Sequence, residues 1–189
     1  MGFNFEFVPQ YIPYYLEGVK YTLLISLITV LFGALFGSIL FYMKSSNIHI
    51  WKIKPLKILA VIYIEVVRGT PMLLQILIMY AGSKMFFGID LSPFTSAIIA
   101  IALNSAAYVS EIVRAGIEAV DNGQMEAASS LGMKKSTAMV LIVIPQAIKN
   151  ILPAIGNEFV AVIKESSMAS IIGVNELMFG GKVVAGSTY

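Results

Sequence analysis

The run from Tyr21 to Met43, YTLLISLITVLFGALFGSILFYM, decides the fold class, because 23 residues pass without a single charge. At about 1.5 Å per residue a helix of that length crosses a hydrocarbon core of about 30 Å. Inside it, Gly33 and Gly37 stand in GxxxG spacing, which lets a second helix approach closely. The rest of the chain agrees with this reading. Hydrophobic residues make up 58% and charged residues only 13% of the 189 positions, about half the charged share of a soluble domain. The expectation is an all-α, polytopic membrane helix bundle forming one domain over residues 1–189.

Three further segments repeat the pattern. The second runs from about Leu56 to Gly82 and is interrupted by Glu65, Arg68 and Pro71. The third runs from Phe94 to about Gly116, and the fourth from about Thr137 to Ile163, broken by Pro145 and Pro153. Residues 166–189 are glycine-rich and too weakly apolar to read as a span. Met1 to Glu17 has no basic leader and carries prolines at 9 and 13, so it does not read as a cleavable signal peptide.

Basic residues orient the spans. Lys44, Lys52, Lys54 and Lys57 follow the first segment, and Arg114, Lys134, Lys135 and Lys149 follow the third; the other side holds Lys20, Lys84, Lys164 and Lys182. Eight against four puts the loop at about 118–137 in the cytoplasm and the N-terminus outside. The aromatic cluster Phe3, Phe5, Phe7, Tyr11, Tyr14 and Tyr15 then falls at the outer interface, where such rings are favoured.

Several function classes drop out. With no cysteine and His49 as the one histidine, thiolate chemistry and the usual metal and imidazole sites are excluded. A net charge of +2 without a basic run gives no footing for nucleic acid.

The polar residues inside the spans carry the functional signal. Counted from the cytoplasmic ends, Arg68 and Glu158 each lie twelve residues in, roughly 18 Å, and Asn104 lies roughly 15 Å from its own end. An intramembrane charge costs at least about 2.5–3.5 kcal/mol on the lenient insertion scale, so it needs a partner or a wet cavity. Arg68-Gly69-Thr70-Pro71 also breaks the second span, since Pro71 removes a hydrogen bond and disfavours helix at Thr70. Such a break is tolerated beside protein or water, and broken midplane helices are where transporters bind solutes. Gln75 is seven residues from Arg68; Asn104, Tyr108 and Glu111 share one face, as do Asn150, Asn157 and Lys164, with Glu158 beside them.

Arg68 offers a planar fork for a carboxylate, and Glu158 an anion for an ammonium or a cationic side chain. The expected substrate site is Arg68, Thr70, Gln75, Asn104, Ser105, Tyr108, Asn157 and Glu158. The competing reading pairs Arg68 with Glu158, or with Glu65, as a structural ion pair.

The loop after the third span contains Glu126-Ala127-Ala128-Ser129-Ser130-Leu131-Gly132, followed by Ile144-Pro145-Gln146-Ala147. Asp121 can cap a short helix with Gln124 in capping-box register, Glu126 is read into its first turn, and Gly132 suits a left-handed stop. A loop that only joined spans would not need a capped helix, so this one is expected to dock against a partner.

These stretches resemble the EAA signature of bacterial ABC importer permeases of the polar-amino-acid branch (histidine, glutamine or arginine type). The resemblance extends over Tyr63–Pro71 with Gln75, Leu103–Tyr108, Glu111–Ile117, Gly123-Gln124, Asn157-Glu158-Phe159, and Lys164-Glu165-Ser166-Ser167-Met168, where the branch usually has Lys-Asp-Thr-Ser-Leu. It covers most of Tyr63 to Glu176.

The resemblance implies the type I importer permease fold in the bacterial cytoplasmic membrane, with a fifth span expected beyond Tyr189 in addition to the four visible. It implies partners: a cytoplasmic ATP-binding subunit, a second permease subunit (a homodimer is expected), an extracytoplasmic solute-binding protein and membrane lipid. The permease is not itself an enzyme. It binds no cofactor, ATP and Mg residing on the partner ATPase, and the chain has no GxxxxGK[ST] motif. Gln124, Glu126, Ala127, Ala128 and Gly132 would form the coupling contact. The expected cargo is a polar, preferably basic amino acid (arginine, lysine or histidine), with glutamine or another polar amino acid as the alternative. An intramembrane enzyme would need a nucleophile and base, for which only Lys164 near Ser166 is at hand; a passive channel would leave the capped helix without a role.

Overall fold

The computed structural model describes residues 8–46, 48 and 53–188. Phe3, Phe5, Phe7, His49 and Lys52, named above, lie outside the described residues, whereas Tyr11, Tyr14 and Tyr15 fall on the first helix.

Helix α1 runs over Val8–Ser45 and so begins well before the uncharged run, with Pro13 inside it. Its buried hydroxyls are satisfied locally: Ser26 donates to the Thr22 carbonyl and Thr29 to the Ile25 carbonyl, both at 2.8 Å. Polar side chains are therefore tolerated in an apolar span. Helix α2 covers Pro55–Gly69 and stops at the expected break; Pro71 is extended (φ −61°, ψ 135°) and α3, Met72–Leu77, begins directly after it. A π-helical turn over Ile78–Gly82 leads to α4, Ser83–Phe87, which Gly88 closes in the left-handed conformation at φ 68°.

Helix α5 spans Pro93–Glu118, and the short α6 spans Asn122–Ser130. Helix α7, Lys135–Ala138, passes through a π turn at Met139–Val143 into α8, Ile144–Glu165. Pro145 cannot donate a backbone bond and crowds the carbonyl four residues back, and the wider π register sits where that defect would fall. A 3-10 segment, Ser166–Ile172, and α9, Leu177–Thr188, complete the described chain.

Among the described residues, three helical stretches are long and apolar enough to cross a membrane: Pro9–Ser45, Pro93–Glu118 and Lys135–Ile172. The pair Pro55–Gly69 and Met72–Phe87 qualifies jointly as a broken fourth.

Packing divides the chain into two compact units. The first comprises Met1–Leu31, Thr70–Ala102 and Ala161–Tyr189. Here α9 crosses α1 at backbone distance: a Cβ on Gly18 would meet Leu177 Cα at 2.7 Å, and one on Gly180 the Tyr14 carbonyl oxygen at 2.9 Å. The Leu177 amide donates to Thr22 Oγ1 at 3.1 Å, and the buried Glu176 caps α9 by accepting from the amides of Met178 and Phe179 at 2.8 Å each. The opening turns of α1 before this contact remain largely exposed.

The second unit comprises Phe32–Gly69 and Leu103–Val160. Helix α1 meets α5 at the two glycines of the GxxxG pair. A Cβ on Gly33 would lie 2.6 Å from Ser105 Oγ, and one on Gly37 2.8 Å from both the Ala106 carbonyl oxygen and Val109 Cβ. Helix α5 meets α8 at Gly116, whose absent Cβ leaves room for Ile151, and Asn150 Nδ2 donates to the Gly116 carbonyl at 3.3 Å.

Candidate functional site

In the second unit, α5 presents two neighbouring positions to two different helices. Ser105 and Tyr108 are three residues apart and therefore on one face. Tyr63 on α2 donates its hydroxyl to the Leu103 carbonyl at 2.8 Å, fixing α2 against this stretch. One turn and a half further along α2, the Arg68 guanidinium lies over the Tyr108 ring, 5.1 Å from its centroid. That is a cation–π contact, which holds a guanidinium without cancelling its charge. From α8, Glu158 Oε1 accepts a hydrogen bond from Ser105 Oγ at 2.8 Å.

The competing ion-pair reading does not hold. Among the described residues neither Arg68, Glu65 nor Glu158 enters a salt bridge; the four present are Lys44–Glu111, Arg114–Glu111, Arg114–Glu118 and Lys84–Asp90. Arg68 and Glu158 keep opposite, uncancelled charges and are each held by a neutral residue of α5. The structure thus brings together Arg68 with Tyr108 and Ser105 with Glu158.

The other expected residues sort differently. Asn104 is buried. Asn157 is exposed on α8. Glu111, expected on one face with Asn104 and Tyr108, is engaged by Lys44 at 2.6 Å and Arg114 at 2.9 Å. Thr70 and Gln75 belong to the first unit, where Gln75 Nε2 spans the break to reach Thr70 Oγ1 at 2.8 Å and the Thr70 carbonyl at 3.2 Å. Sequence reasoning missed both neutral contacts: they depend on how α2 and α8 are rotated against α5, which helical spacing does not encode.

The loop helix α6 is built largely as expected, with two corrections. Asp121 caps it, accepting from the Gly123 amide at 2.6 Å. Gln124 does not complete a capping box; its side-chain oxygen accepts instead from Gln146 Nε2 of α8 at 3.1 Å. The helix opens at Asn122, so Glu126 is its fifth residue and lies beyond the first turn. At the other end Gly132 is left-handed at φ 79°, Met133 donates to the Ala128 carbonyl and Gly132 to that of Ser129. That pair of bonds is the Schellman stop. Ala128 is buried against the unit, while Glu126, Ala127 and Leu131 (83% exposed) face outward. Gln146 also donates to the Ile142 carbonyl at 3.0 Å, so one side chain ties α6 to the π turn at the root of α8.

Comparison with known proteins identifies this architecture. Residues 50–182 match the family described as "Binding-protein-dependent transport system inner membrane component". The chain is 40% identical over 189 residues to the arginine transport system permease protein ArtQ of Bacillus subtilis, covering all of this chain and 84% of that protein. It is 42% identical over 188 residues to a putative glutamine transport system permease protein GlnP of Rickettsia conorii, covering 98% and 84%. A solved "amino acid ABC transporter with histidines" superposes with a TM-score of 0.91 at 46% identity, covering 100% of this chain and 86% of that one. The MetNI methionine transporter shares the fold alone, with a TM-score of 0.70 at 18% identity.

Uncancelled charges in apolar spans, a capped loop helix and these relatives converge on one assignment: the chain belongs to the binding-protein-dependent transport system inner membrane component family and is a membrane-embedded amino-acid ABC importer permease, with ATP hydrolysis carried by separate subunits.

Proposed function

We propose that the cargo is a basic amino acid, with Arg68 receiving its α-carboxylate and Glu158 its cationic side chain or ammonium. The observation that carries this reading is that Arg68 and Glu158 are held by Tyr108 and Ser105, not by each other. Each charge stays available at a cost of at least about 2.5–3.5 kcal/mol in the apolar phase, which a ligand with matching ends would offset. Asn104, Ser105 and Tyr108 supply the α5 wall; Asn157, Thr70 and Gln75 enter the proposal on sequence position alone. The name of the arginine permease relative agrees with this cargo.

Glutamine is the second reading, supported by the names of the glutamine permease relatives, since a carboxylate also accepts from an amide N–H. The permease pair is proposed to be a homodimer with the N-terminus outside, and α6 to contact the cytoplasmic ATPase through Gln124, Glu126, Ala127, Ala128 and Gly132. ATP and Mg are placed on that partner. Thermal unfolding of the purified transporter complex across a panel of amino acids tests the cargo. Arginine and lysine should raise the midpoint more than glutamine; stabilisation by glutamine alone would replace the basic reading with the second.

A further inference from the structure

At one end of the second unit, three helix termini surround a cavity of about 300 Å³ lined by Phe41, Lys44, Ser45, Lys57, Arg114, Ile117 and Glu118. It lies where the uncharged run of α1 gives way to Lys44, hence at the boundary between hydrocarbon and water. Its walls are mixed accordingly: Phe41 and Ile117 supply apolar surface beside three cations. The adjoining Tyr42 is 73% exposed, as expected of a ring in the interfacial belt.

The charges around this cavity do not cancel. Glu111 takes Lys44 and Arg114 Nε, and Glu118 takes Arg114 Nη1. Three cations against two carboxylates leave one positive charge, and the cation with no carboxylate among the described residues is Lys57. Lys57 sits in the first turn of α2, where the helix dipole opposes a positive side chain. The α2 backbone adds to the field through the amides of Leu56 and Lys57, which as first-turn donors have no intrahelical acceptor; Pro55 has no amide and Ile58 donates to the Lys54 carbonyl at 3.1 Å. A cation, a helix N-terminus and a partly committed guanidinium around one cavity are the arrangement that receives a phosphate.

We propose that this cavity binds the phosphate headgroup of an anionic phospholipid, with Lys57 and Arg114 on the phosphate and Phe41 and Ile117 against the start of the acyl chains. Basic cavities between membrane helices at the interface bind such headgroups. The lipid would bridge α1, α2 and α5 at the end of the unit that leads, through α5, into the coupling loop. The site is separate from the Arg68–Glu158 cluster and does not depend on the cargo.

The test uses the intact transporter complex in nanodiscs of phosphatidylcholine with phosphatidylglycerol, extracted and weighed by native mass spectrometry. Phosphatidylglycerol should be retained in preference to phosphatidylcholine. Lys57→Gln should lower that retention about fivefold, the worth of one interfacial cation. Lys57→Arg should preserve it, as should Lys149→Gln, which makes the same charge change on α8. Excess inorganic phosphate should not displace the lipid. Equal retention of both lipids, or equal loss in Lys57→Gln and Lys149→Gln, would overturn the site. Displacement by inorganic phosphate would replace the headgroup with a free anion. Loss of the ATPase subunit from Lys57→Gln with lipid retention unchanged would assign the surface to a protein contact instead.

Discussion

The Arg68 guanidinium lies 5.1 Å from the centroid of the Tyr108 ring and, among the described residues, pairs with no carboxylate. A cation–π contact leaves the guanidinium its charge, and its planar fork is what a carboxylate engages in two bonds. Lysine preserves the charge but not the fork. Replacing Arg68 by Lys should therefore raise the KM for ATP-driven uptake in proteoliposomes roughly ten- to hundredfold, the equivalent of one charge-assisted bond. The complex should still assemble, as size-exclusion chromatography with the ATPase subunit will show. An unchanged KM would remove Arg68 from the site.

Gly33 couples helix packing to that cluster. A Cβ there would lie 2.6 Å from Ser105 Oγ and 2.9 Å from Ser105 Cβ, and Ser105 is the residue that holds Glu158. Gly33→Ala should cost about 1–3 kcal/mol through overpacking. It should also impair uptake more than Gly181→Ala, where an added Cβ meets nothing within 4 Å. Thermal unfolding and uptake measured on both variants check the contrast.

Gly132 ends α6 at φ 79°, a conformation that costs a residue with a side chain about 1–2 kcal/mol, and a β-branched one more. Gly132→Val should break the Schellman stop, weaken association with the ATPase subunit and uncouple hydrolysis from uptake, leaving the membrane helices folded. Gln146→Leu, which removes the bond to Gln124, should produce a milder form of the same uncoupling. The ratio of cargo transported to ATP hydrolysed measures both.

Much of this was legible in the residues, and the gaps have a common cause. Uncharged length gave the spans, Pro71 the break, and Asp121 and Gly132 the limits of α6, because each is a local effect acting within a few residues. Glycine spacing also marked the face of α1 that a second helix approaches, without saying that the helix is α5. What the chain did not disclose was anything set by a distant partner. Helix α9 packs on α1 at Tyr14 and Gly18, a contact that nothing local in either segment announces. Gln124 leaves its capping position because Gln146 of α8 offers a donor. Arg68 lies over Tyr108 and pairs with neither Glu65 nor Glu158, a choice that a charge count at matching depth could not make.

Glu176 gives the α1–α9 contact a pH dependence. Burial holds its carboxyl above the usual glutamate range, partly opposed by the amides of Met178 and Phe179 and by Lys182. In the window between the ordinary value and the raised one the folded state binds more protons than the unfolded state, so stability falls as pH rises through it. Thermal unfolding of the complex followed upward from the ordinary glutamate pKa should show this decline, and Glu176→Gln should flatten it. A decline of equal size in the variant would place its origin elsewhere.

The most direct test of the central claim compares arginine and glutamine binding by the intact transporter, wild type against Glu158→Gln, with radiolabelled amino acid. If Arg68 and Glu158 grip the two charged ends of a basic amino acid, the variant loses its arginine preference while glutamine binding changes little. Should arginine be preferred over glutamine as strongly after the substitution as before, Glu158 does not read the cargo and the assignment of the site fails.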